Sequence, residues 1–432
     1  MTGGAEFAPR VRHATLRNGL QVYLLENHAN TTVDLVGLIE GGLFAETRDQ
    51  AGTAHAMAMM LDRGTRRRSQ AEIADLLESC GAALRYALTT EALIVRGRCL
   101  AEDLPLLIEL LGETLREPSF PADQLALVRE ETLVGLREAE FDAHDRALRA
   151  AAARSYGDAH PYARHPLGSP SIVAALQPSD LRACHAARMA ARATSLAIVG
   201  DIEPRRTQTL LDAHLGALSP GSPPAPPGAS PAPPGADTAR VGPPMVQAER
   251  IEIPEREQIE LVCLGPGIAR GEHAFEAAAV GNFILGGSFV SRLNQRLRDR
   301  DGLTYDVRSL IVSGRHRGLW YAATGVAPGD LQRATDALQE ELERWAREGI
   351  QDEELAIAQQ HLTGAFPIKL ETNRVIAAVL LDGVRSGRGL DYIDRYRDRI
   401  AALDRQAVEA GARRLIGHGA LHTVSAGTHA GA

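Results

Sequence analysis

The sequence predicts an α+β fold in which one sheet-and-helix unit is duplicated along a single chain. Three observations carry this. Residues 219–244, SPGSPPAPPGASPAPPGADTARVGPP, form a Pro/Gly/Ala/Ser tract without apolar periodicity, and the tract divides the 432 residues into stretches of similar length. Each stretch opens strand-rich, at Val33 to Ile39 and again at Ile259 to Leu264. Each closes with a helix and then a strand ended by glycine. In the first the helix begins at Ser179-Asp180-Leu181 and Ser195 to Val199 precedes Gly200; in the second Asp404 to Leu415 is the helix and His422 to Ala426 precedes Gly427. Duplication of an α+β unit is the economical explanation, with domains at 1–218 and 245–432 and a linker over 219–244.

The elements follow in chain order. Asn18-Gly19, between Ala14–Arg17 and Leu20–Leu25, is the signature of a two-residue hairpin turn. Ser69-Gln70-Ala71-Glu72 is a capping box, and Ile73, Leu76 and Leu77 give the following helix its buried face until near Gly81. Leu104, Leu107, Ile108 and Leu111 mark a second amphipathic helix over Asp103 to Leu115, stopped before Pro118. One long helix is expected from Pro121-Ala122-Asp123 through the Arg129–Arg154 region, and another from Leu331 to Glu348. These apolar residues are core.

Composition excludes several classes of function. With 47 Lys and Arg against 55 Asp and Glu, the formal net charge is −8, so no basic field recruits nucleic acid. Clusters such as Arg66-Arg67-Arg68 read as solvated loop. Cys80, Cys99, Cys184 and Cys263 lie far apart, in neither a disulfide framework nor a CxxC metal spacing. No apolar run approaches the ~20 residues of a membrane span. Met1 to Arg12 lacks an apolar core with a cleavage site, so a cytoplasmic setting is expected, or a periplasmic one if a leader was removed.

From Gly52 the chain reads Gly52-Thr53-Ala54-His55-Ala56-Met57-Ala58-Met59-Met60-Leu61-Asp62-Arg63-Gly64-Thr65. This resembles the zinc helix of the pitrilysin/insulinase family of metallopeptidases, where H-x-x-E-H sits in a frame of the form GLAHFLEHMLFKGT. In that motif two histidines four residues apart grip Zn²⁺ from one helix face, and the glutamate acts as general base on the metal-bound water. Here His55 matches the first histidine, Ala58 stands at the base and Met59 at the second histidine. The register continues through Ser69, Glu72-Ile73, Glu78-Ser79, Asp103-Leu104-Pro105, Pro118 and Phe120, and places Gly135 at the third-ligand position; a shift of one helical turn presents Glu131 instead. Ala58 has no proton to move, and a thioether is a soft, weak ligand for hydrolytic zinc. The resemblance therefore implies a degenerate site, with no metal in this chain.

The second stretch reads differently. Ile284-Leu285-Gly286-Gly287-Ser288-Phe289-Val290-Ser291-Arg292-Leu293, followed by Arg298-Asp299-Arg300-Asp301-Gly302-Leu303-Thr304-Tyr305, resembles the family's LGGSxxSRL…REKxGLxY segment. In active members the arginine and the tyrosine seven residues on reach the zinc site; Arg298 and Tyr305 match them at the same spacing. A guanidinium fork and a phenol are donors suited to substrate carbonyls and a developing oxyanion. Taken alone, Arg298 reads as a helix-surface charge and Tyr305 as a strand residue in the core. His160-Pro161-Tyr162 with Gly168, Leu196 to Asp201, and Leu319-Trp320-Tyr321 extend the resemblance over nearly the whole chain.

In the two-subunit branch of the family, one chain carries H-x-x-E-H and the other supplies the Arg/Tyr pair. The resemblance thus implies a non-catalytic subunit of a heterodimeric bacterial zinc peptidase, inactive alone. Its partners are a homologous zinc-bearing subunit and a peptide substrate, with zinc held in the partner. Two alternatives stay open: a structural or peptide-binding relative like the core subunits of the respiratory cytochrome bc1 complex, and a subunit of the peptidase pair that trims the pyrroloquinoline-quinone precursor peptide.

Overall fold

The computed structural model describes residues 6–221, 245–416 and 420–429. The predicted linker lies outside the described residues except at 219–221. The chain forms two compact units whose membership departs from the division expected at 219–244. Unit 1 takes Met1–Leu136, Pro166–Gly228 and Pro367–Arg395; unit 2 takes Arg137–His165, Ala229–Phe366 and Tyr396–Ala432.

The sheet of unit 1 holds β1 (Arg12–Thr15), β2 (Gln21–Glu26), β3 (Thr32–Glu40), β4 (Ala83–Leu88), β5 (Ala92–Leu100) and β6 (Thr194–Gly200) in the order β1-β2-β6-β3-β5-β4. Unit 2 holds β7 (Met245–Glu252), β8 (Ile259–Pro266), β9 (Val307–Val312), β10 (Leu319–Val326) and β11 (Leu421–Gly427) in the order β7-β11-β8-β10-β9. In the first sheet only β2 and β6 run parallel, and in the second only β7 and β11. With β1 set aside, the two sheets share one strand order and one set of directions. The duplicated α+β unit expected from the sequence is therefore present, with β3 matching β8 and β6 matching β11.

Two helices sit with the sheet on the far side of the tract. Helix Ala143–Tyr156 packs on β8 and β11, burying Ala147, Ala151 and Ala152 with Val262, Leu264 and Val424. Helix Asn373–Arg385 packs on β3 and β6. Arg385 there pairs with Glu40 at 2.8 Å and Glu91 at 2.9 Å, and the Asn373 amide donates to the Thr32 carbonyl at 3.3 Å. Periodicity reports that a helix has an apolar face; it does not report which sheet covers that face.

Local chemistry explains where the elements begin and end. The capping box forms: Ser69 N–H donates to Glu72 at 2.7 Å, and Glu72 N–H returns to Ser69 Oγ at 3.3 Å. Helices Gln70–Ser79, Leu104–Arg116 and Leu331–Glu348 follow as expected. The first hairpin differs. Leu16 N–H donates to the Leu20 carbonyl and Gly19 N–H to the Leu16 carbonyl, so the loop is the three-residue Arg17-Asn18-Gly19 with Gly19 at φ 94°. Asn18 is spent on the C-terminus of helix Pro204–Leu215, donating to the Leu215 carbonyl at 2.8 Å. The single long helix expected after Pro121 is two, Ala122–Ala139 and Ala143–Tyr156, because Asp142 accepts from Asp145 N–H at 2.9 Å and caps a new start. Among the described residues no helix is long and apolar enough to cross a membrane.

Candidate functional site

The degenerate motif lies on a seven-residue helix, Thr53–Met59. Glu46, itself 5% exposed, receives Ala54 N–H at 2.8 Å and Gly52 N–H at 3.3 Å, so a buried carboxylate satisfies the helix's first free amides. After the helix, Thr65 and Arg68 both bond Glu113, which is buried on helix Leu104–Arg116, and Arg68 also bonds Glu109 at 2.7 Å. These contacts account for the Gly-Thr end of the frame. The frame thus persists for structural reasons.

At the positions that would bear catalysis the chemistry is apolar. Met57, Ala58 and Leu61 belong to the hydrophobic core of unit 1, with Ala58 at 1% exposure, and Met59 packs against that core. His55 is half-buried. Gly135 sits on helix Ala122–Ala139, and a Cβ added there would meet Leu167 Cδ1 at 3.0 Å. Glu131, the residue offered by a one-turn shift, is exposed and paired with Arg63 at 3.2 Å. Among the described residues no group of three or more His, Cys, Asp and Glu side chains could hold a metal ion. These residues do not fit a zinc ion.

In unit 2, helix Phe275–Leu285 ends at Gly286-Gly287, and a loop through Ser288 to Ser291 leads into a π-helical stretch, Asn294–Arg300, that carries Arg298. Such stretches are rare and recur at functional sites. The Arg298 guanidinium lies 3.6 Å over the Phe289 ring. Its Nε and Nη2 donate to Asp299 at 2.8 and 3.2 Å, and this bond, first among the causes, holds its pKa above the ordinary arginine value. Nη1 is shielded from solvent and has no hydrogen-bond partner.

Tyr305 stands in the loop before β9 and is 87% exposed, so it is neither a strand residue nor core. Its neighbours hold the loop. The Thr304 hydroxyl lies 2.9 Å from the Gly325 carbonyl and accepts from the Thr324 hydroxyl at 2.9 Å. Asn294, 1% exposed, donates to the carbonyls of Ser288 at 3.1 Å and Val307 at 2.9 Å, tying the Phe289 loop to the start of β9. Arg292 of the same segment is structural: it forks onto Glu354 with two bonds of 2.6 Å. Sequence reasoning singled out Arg298 and Tyr305 but missed Phe289, which stacks under the Arg298 guanidinium, and Asn294, which ties the Phe289 loop to the start of β9. The adjacent aromatic in an otherwise small-residue loop was the available signal.

Residues 21–163 match the family described as insulinase (peptidase family M16), and residues 175–362 match the peptidase M16 inactive domain. An uncharacterized zinc protease of Streptomyces coelicolor is 26% identical over 94% of this chain and 87% of its own. A non-peptidase homolog, YmxG of Helicobacter pylori, is 25% identical over 80% of this chain and 78% of its own. A solved peptidase M16 inactive domain from Pseudomonas fluorescens superposes with a TM-score of 0.88 at 24% identity, covering 97% of this chain and 98% of that one. At that identity the likeness carries the fold alone. The sheets share one topology, the zinc-helix frame stands without its base and second histidine, and both halves match one family: the chain belongs to the insulinase-type peptidase family M16.

Proposed function

We propose that this chain is the non-catalytic subunit of a heterodimeric zinc peptidase, lending Arg298 and Tyr305 to a homologous partner that carries the intact motif. The observation behind this reading is a contrast. Ala58 is sunk in the core where a general base would stand, while Tyr305, 87% exposed, and Arg298 are held on a hydrogen-bonded frame. A tyrosine so exposed contributes little to stability, and a loop pinned on both sides of it positions a side chain for something outside the fold.

Each group has a chemical role. A guanidinium N–H and a phenolic O–H donate to a peptide carbonyl oxygen, and both bonds strengthen as that oxygen gains negative charge. The base and the metal belong to the partner. A relative named as a non-peptidase homolog is compatible with such a division of labour.

The test is reconstitution. The chain alone should leave a quenched peptide library uncut, and should copurify with a homologous H-x-x-E-H chain from the same cell to give a peptidase. Hydrolysis by the isolated chain, or the partner's full activity without it, overturns the reading.

A further inference from the structure

Phe289, Val290 and Tyr305 are 67%, 59% and 87% exposed, three large apolar side chains in one short stretch of the unit 2 surface. Phe289 carries Arg298 on its ring, and Tyr305 lies within electrostatic reach of that guanidinium. The positive charge of Arg298 is already answered: Asp299 occupies Nε and Nη2, and Asp306 also acts on the guanidinium. A carboxylate brought to Arg298 would face Asp299 and Asp306, whereas an uncharged side chain meets no such repulsion.

The neighbouring sheet edge is closed to an added strand at its start. β9 is the last strand of its sheet, but Ser309 N–H is taken by the Gly286 carbonyl at 2.8 Å, and Val307 is bracketed by Asn294. A peptide arriving here is therefore read by its side chains.

We propose that Phe289 is a positioning and specificity residue: its ring orients the Arg298 guanidinium, and with Val290 and Tyr305 it forms a subsite for an uncharged, hydrophobic side chain of the bound peptide. The proposal rests on the reading of Arg298 and Tyr305 as peptide-binding groups, and adds which peptides they take. Burying one leucine- or phenylalanine-sized side chain predicts a preference of about tenfold over a charged one at that position.

The experiment uses the full chain without a partner. The probes are four fluorescein-labelled twelve-residue peptides, identical except for Leu, Phe, Ser or Asp at one central position, read by fluorescence anisotropy. Labelling of Arg298 by phenylglyoxal, read by mass spectrometry, is measured in parallel. The wild type should bind the Leu and Phe peptides about tenfold tighter than the Asp peptide. Phe289→Ala should abolish that preference and raise Arg298 labelling several-fold. Phe289→Leu should keep most of the preference while still raising the labelling, since it is apolar but cannot stack. No binding of any peptide, a preference for Asp, or a preference unchanged in Phe289→Ala overturns the proposal. If Arg298→Ala cripples the reconstituted peptidase while Phe289→Ala leaves its peptide preference intact, the subsite fails and the wider reading survives. The reverse pattern would retain the subsite and discard the catalytic role in trans.

Discussion

Gly52 and Gly168 meet backbone to backbone: a Cβ on Gly168 would stand 2.3 Å from the Gly52 Cα and 2.4 Å from the Ala51 carbonyl oxygen. Both are left-handed, at φ 103° and 98°, and Ser169 N–H donates to the Ala51 carbonyl beside them. This contact seats the helix bearing His55, Ala58 and Met59. It explains why the glycine frame outlives the catalytic residues. Gly168→Ala should cost about 2–4 kcal/mol through combined backbone strain and overpacking, read as a lower denaturant midpoint at unchanged m-value. An alanine variant as stable as wild type would remove the close approach from the account.

The loop that joins the family pattern to unit 2 should make stability depend on pH. Burial, aided by Arg164, pushes His160 down to about 4, and its Nδ1 accepts Tyr162 N–H at 3.2 Å, which requires a neutral ring. Above pH ~6.5 the ring is neutral in both states and the contribution is complete. As pH falls from there towards about 4 only the unfolded chain takes up the proton, and about 2–3 kcal/mol is lost. His144, raised by its bond to Glu260, works in the opposite sense. The observable is therefore the difference between wild type and His160→Phe in thermal unfolding at pH 7 and pH 5. The variant should lose less on acidification, and parallel pH profiles would contradict this.

Metal analysis of the purified chain should find no stoichiometric zinc. Restoring the motif with Ala58→Glu and Met59→His should still give no peptidase, because Gly135 offers no carboxylate. Ala58→Glu also places a charge where the side chain is 1% exposed, and should cost about 3 kcal/mol or more. One tightly bound zinc per wild-type chain would contradict the assignment of this motif as degenerate.

Because unit 1 includes Pro367–Arg395 and unit 2 includes Arg137–His165, a cut engineered within 222–244 should leave two fragments that co-elute under native conditions. Arg385→Ala removes the pair with Glu40 and Glu91 and should weaken that association by about 3 kcal/mol. Fragments that separate freely after cleavage would show that the exchanged helices hold little.

Much of this was legible in the sequence because it is written in local chemistry. Ser69 and Glu72 announce a helix start, and the strand pairs Val33–Ile39 with Ile259–Leu264 and Ser195–Val199 with His422–Ala426 announce a duplication. The rest depends on long-range packing. Nothing near Asp142 says that the helix it caps will lie on β8, and nothing near Arg385 names Glu40 as its partner. At the candidate site the Arg298/Tyr305 spacing was visible, but the stacking of Phe289 and the brace of Asn294 arise only when the loop folds back on β9.

The central claim is tested most directly by the kinetics of the reconstituted pair with Arg298→Ala and Tyr305→Phe. Losing a donor to the developing oxyanion should lower kcat by on the order of 10²–10³, with a smaller change in KM, because the donors matter most as charge forms. Assembly and the partner's zinc content should be unchanged. Turnover at the wild-type rate by both variants would contradict the account and leave Arg298 and Tyr305 as surface residues of a structural or peptide-binding protein.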